Sequence, residues 1–138
     1  MNGESGAGGV GVFSRMIKGY LILNGLLYII FGIWCTILPK TTANFLGLSW
    51  LNNSGRSEYI TVYGGMEFGI GLFLLLSAFR ANMQSAGLLF MLCFYAGLIV
   101  WRMGTFATMS GIGKATYGFA ASELILGIVA AILWFRKG

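Results

Sequence analysis

The 138 residues are 57% hydrophobic and only 9% charged, with a mean hydropathy of +0.81. So greasy and short a chain does not make an ordinary soluble domain, and the composition reads as a membrane protein. The net charge of +5 is carried without any histidine, which argues against haem, copper and most zinc or di-iron sites and against Ser-His or Cys-His nucleophiles, so no metal or cofactor is expected.

Residues 1–12, "MNGESGAGGVGV", read as a flexible, glycine-rich tail on a single membrane domain covering residues 1–138. Four apolar segments follow, at roughly 16–38, 58–79, 82–108 and 115–135, each long enough to cross ~30 Å of hydrocarbon as a helix of ~20 residues. The runs are continuous and lack the alternation of a barrel, so the expected fold is all-α, an integral membrane four-helix bundle. The first run continues to Pro39, past the ~7–15 residues of a signal-peptide core, and is therefore read as a retained span.

Tyr20, Asn24 and Tyr28 repeat every fourth residue on the first helix and share one face. Between the first two spans, "KTTANFLGLSWLNNSGRS" is too short to cross. Its Phe45, Leu46, Leu48, Trp50 and Leu51 suit an interfacial segment, read as an anchor rather than a lid. The basic flanks set the orientation. Arg15, Lys18, Arg80, Arg136 and Lys137 fall on one side, against Lys40, Arg56 and Lys114 on the other, so both termini are expected inside a bacterial inner membrane. These flanks account for the basic balance through membrane lipids, and no basic stripe points to nucleic acid.

The second span, "VYGGMEFGIGLFLLL", places Glu67 in an otherwise apolar run. Gly65 and Gly69 form a GxxxG around it and are expected to carry helix packing, with Gly127 in a small-xxx-small pattern on the fourth helix. Glu67 lies nine residues after Glu58, about 13 Å deep at ~1.5 Å per residue. Arg102 precedes Met109 by seven residues and Glu123 follows Ala115 by eight, giving about 10 and 12 Å from the same side. Intramembrane charges face the bundle interior and pair, so Glu67, Arg102 and Glu123 are expected as one buried cluster in which charge balance asks one glutamate to hold a proton. Tyr63, Tyr95, Tyr28 and Asn24 join the same polar layer.

Three readings follow. The leading one is binding of a small amphipathic or lipid-soluble ligand, lipid or quinone-like, by the ligand-binding or proton-exchanging set Glu67, Arg102, Glu123, Tyr63, Tyr28, Asn24 and Tyr95. The second is a non-catalytic accessory subunit that forms a homo-oligomer or joins a larger membrane complex, the charges only locking helix register. The third is a proton-coupled small-molecule transporter. No catalytic residue or enzymatic signature stands out.

The strings "EYITVYGGMEFGIGLFLL", "GLIVWRM" and "ASELILGIVAAILWF" resemble a family of small four-helix bacterial inner-membrane proteins carrying a domain of unknown function. That family is similar in size and layout to the DoxX-like group, some of whose members are associated with quinone-linked oxidoreductases. The resemblance thus implies a lipid-soluble ligand by analogy, and no catalytic residues.

Overall fold

The computed structural model describes residues 5–137, and among them every regular element is helical. Residues 1–4 of the expected tail, and Gly138, lie outside the described residues; from Ser5 onward the chain is already helical. Helix α1 spans Ser5–Ile37 and α2 Pro39–Phe45. Helix α3 runs over Asn53–Phe79, with π geometry at Ile60–Met66. After a 3-10 turn at Ala81–Met83 come α4, Gln84–Thr108, and α5, Lys114–Arg136. Four of these helices are long and apolar enough to cross a membrane, with mean hydropathies of 1.6 to 2.0 over their most apolar stretches. Their outward surfaces, including Ile30, Trp101 and Phe135, are exposed, which suits hydrocarbon and would be an aggregation hazard in water. The protein is a multi-pass membrane protein.

α1 packs along α3 and α4 along α5, each pair antiparallel. The buried core between the pairs holds Leu21, Leu74, Leu88, Met91, Tyr95 and Ala130. The α1–α3 contact is made at backbone range through glycines spaced seven apart on both helices. A Cβ on Gly71 would stand 2.6 Å from the Gly25 carbonyl oxygen and 2.8 Å from the Ile29 nitrogen, and one on Gly32 would stand 2.7 Å from the Gly64 oxygen. Gly65 and Gly69, the expected packing pair, instead meet nothing within 4 Å. The inward face of α3 runs through Gly64, Gly71, Leu74 and Ala78, spaced seven, three and four residues apart as one helical face requires, and Gly65 and Gly69 lie off it. Gly127 packs closely, its missing Cβ 3.0 Å from Ile99 Cδ1 and 3.1 Å from Tyr95 Cβ.

The α1–α3 connection folds back onto the bundle. Pro39 starts α2 at a first-turn position, where its missing N–H is no loss. Gly47, at φ +73°, ends it: its N–H donates to the Asn44 carbonyl and that of Leu48 to the Ala43 carbonyl, a Schellman closure that glycine adopts without a Cβ penalty. Tyr59 then ties this segment down, its hydroxyl donating to Thr42 Oγ1 at 2.9 Å. Asn52 caps α3 by accepting from the Gly55 N–H.

Candidate functional site

The four long helices and the turn after α2 line a half-open cavity of about 610 Å³. Its walls are mostly apolar. Leu27 and Phe31 come from α1, Phe94 and Leu98 from α4, and Phe119 and Leu126 from α5. Leu46 and Leu48 line it from the connecting segment. Phe45 holds this segment in place by packing on Trp34 and Phe119, with ring centroids 6.0 and 6.1 Å away.

Six of the seven polar residues expected at this level line the cavity: Tyr28, Tyr63, Glu67, Tyr95, Arg102 and Glu123. The seventh, Asn24, does not. It is fully buried beside the cavity, its amide donating to the Tyr20 carbonyl at 2.8 Å and its Oδ1 accepting from the Tyr95 hydroxyl at 2.6 Å. Tyr20 in turn donates to the Leu126 carbonyl at 2.9 Å, joining α1 to α5. These neutral bonds tie α1 to α4 and α5.

The charges do not form the buried Glu-Arg-Glu cluster that equal depth suggested. Arg102 Nε and Nη2 donate to the two carboxylate oxygens of Glu123 at 2.5 Å each, a bidentate pair between neighbouring antiparallel helices. Their side chains retain 25% and 13% exposure. Among the described residues this is the one ion pair, and Glu67 takes no part in it. Glu67 Oε2 is buried with no hydrogen-bond partner. The carboxylate stem fits there because Gly32 opposite has no side chain; a Cβ on Gly32 would lie 3.4 Å from Glu67 Cβ. Glu67 also begins the α-helical turn that follows the π segment.

Sequence reasoning missed Thr116 and Ser122, which complete the α5 wall. The signal was present: Thr116, Phe119, Glu123 and Leu126 follow the three-and-four spacing of one helix face. Leu46 and Leu48 carried no such periodic signal, because a short turn places them.

A family defined as a domain of unknown function, DUF4345, matches residues 16–134, and the chain belongs to it. That match contains every residue lining the cavity. No curated protein and no solved structure matches the chain.

Proposed function

We propose that the protein binds a small amphipathic or lipid-soluble molecule taken from the membrane, with its polar group at the level of Glu67 and its apolar part against the aromatic walls. The observation that carries this reading is the cavity itself: about 610 Å³, apolar on most sides, with a few convergent polar groups at one level. Ligand sites of ~300–1,000 Å³ have this make-up. Native mass spectrometry of the protein released from detergent micelles is expected to show one small-molecule adduct. Leu27→Trp, which fills the cavity from an exposed position on α1, should weaken that adduct at least about tenfold. A wild-type protein that carries none, and takes up none from a membrane extract, would sink the reading.

The assembly reading has one observation in its favour: Gly65 and Gly69 lie exposed on the outer face of α3 with nothing packed on them, as a second helix would require. The same spectra separate the two readings, because assembly without a ligand gives an adduct-free oligomer.

The host membrane in this reading is a bacterial inner membrane with both ends of the chain in the cytoplasm. Arg15, Lys18, Arg80, Arg136 and Lys137 gather at one end of the bundle, which supports that orientation. In a Cys35→Ser, Cys93→Ser background, a cysteine at exposed Asn82 is expected to resist an impermeant thiol reagent in intact cells, while one at exposed Asn53 reacts. The opposite pattern would reverse the orientation.

A further inference from the structure

The cavity holds two carboxyls and one guanidinium, and the structure separates their roles. Arg102 presents Nε and Nη2 to Glu123, and both Glu123 oxygens are taken by that contact. Arg102 is thus already matched. Glu67 is not: its Oε2 is buried and unpartnered. The groups lining the cavity with it are Tyr28 from α1, Tyr63 from its own helix, Tyr95 and Arg102 from α4 and Glu123 from α5, while the α2 turn adds only Leu46 and Leu48. One positive charge is missing from the set. A charge left alone in hydrocarbon is costly, so either a proton or a bound cation must complete it.

The walls favour a cation with an apolar body. Tyr28, Phe31, Tyr63, Phe94 and Phe119 line the same cavity as the free carboxyl, and aromatic faces attract organic cations. An anionic head would instead meet an unmatched carboxyl and a guanidinium already engaged. A neutral carbonyl could accept from protonated Glu67, but would leave the aromatic faces without electrostatic use.

Resting on the ligand-binding reading above, we infer that the ligand is a monovalent organic cation with a lipophilic body, which takes the place of a proton on the Glu67 carboxyl. The exchange balances: the carboxyl releases its proton to water, and the arriving cation pairs with the carboxylate that remains. Glu123 and Arg102 keep their bond throughout.

Three probes of similar shape test the charge. Tetraphenylphosphonium is cationic, tetraphenylborate anionic, and triphenylphosphine oxide neutral with a strong acceptor. Wild-type protein in detergent is expected to bind the phosphonium at least about tenfold more tightly than the other two, and to release one proton per phosphonium in weakly buffered solution. Glu67→Gln should abolish both the preference and the proton release, and Glu67→Asp, which keeps the carboxyl, should retain the preference and so control for misfolding. Equal or tighter binding of the oxide or the borate overturns the cation assignment while leaving the ligand-binding reading standing. Phosphonium binding without proton release overturns the exchange. Failure of all three probes, with helicity intact, overturns both the cation and the ligand-binding readings.

Discussion

Gly71→Ala is expected to destabilise the bundle by roughly 2–3 kcal/mol, at the upper end of the range for overpacking, whereas Gly69→Ala should stabilise it by up to about 1 kcal/mol. The two glycines stand two residues apart, yet their surroundings differ completely. A Cβ on Gly71 would press on the Gly25 oxygen and the Ile29 nitrogen, both backbone atoms of α1. No rotamer change relieves such a contact; the helices must separate, and with them the packing from Gly25 to Gly64. A Cβ on Gly69 meets nothing within 4 Å and only covers backbone with a better helix former. Reversible unfolding in mixed micelles, followed by circular dichroism, reads both values. Equal losses at the two positions would mean that α3 presents a different face to α1.

That contrast also shows what the sequence could and could not disclose. Four spans were legible because a long apolar run has one physical solution in lipid, a helix that satisfies its own backbone. The face that α3 turns inward was not. A GxxxG marks Gly65 and Gly69, but the motif alone does not say which face packs, and the core uses Gly64, Gly71, Leu74 and Ala78, themselves at helical spacing.

The candidate site was legible in depth but not in direction around the bundle axis. Residue counting brought Glu67, Arg102 and Glu123 to one level, and all three line one cavity. Depth says nothing about which helices adjoin, however. Arg102 and Glu123 sit on helices joined by a short turn and packed along each other, while Glu67 sits on α3, whose main partner is α1. Pairing follows adjacency. Of the polar layer, Tyr95 lines the cavity yet spends its hydroxyl on Asn24 Oδ1, which itself lies behind the wall.

Arg102→Met is expected to destabilise by about 3 kcal/mol, the lower end of the ~3–5 kcal/mol for removing one partner of a buried pair, because the guanidinium keeps 25% exposure. The loss arises from the Glu123 carboxylate, which is left facing an apolar wall without its two donors. Arg102→Met combined with Glu123→Gln should recover most of the deficit, to within about 1 kcal/mol of wild type, since exchanging a whole ion pair for neutral groups is often close to neutral. Glu67→Gln supplies the decisive comparison. If the three charges acted as one cluster, adding Glu67→Gln to Arg102→Met would also rescue stability, by relieving the second stranded carboxylate. The geometry gives a different expectation: Arg102 bonds Glu123 alone, so the effects of Arg102→Met and Glu67→Gln should add to within about 0.5 kcal/mol. A double-mutant cycle on each pair, measured by unfolding in mixed micelles, separates the cases. Coupling above about 1 kcal/mol between Arg102 and Glu67, comparable to that between Arg102 and Glu123, would restore the three-charge cluster and remove the free carboxyl on which cation binding depends.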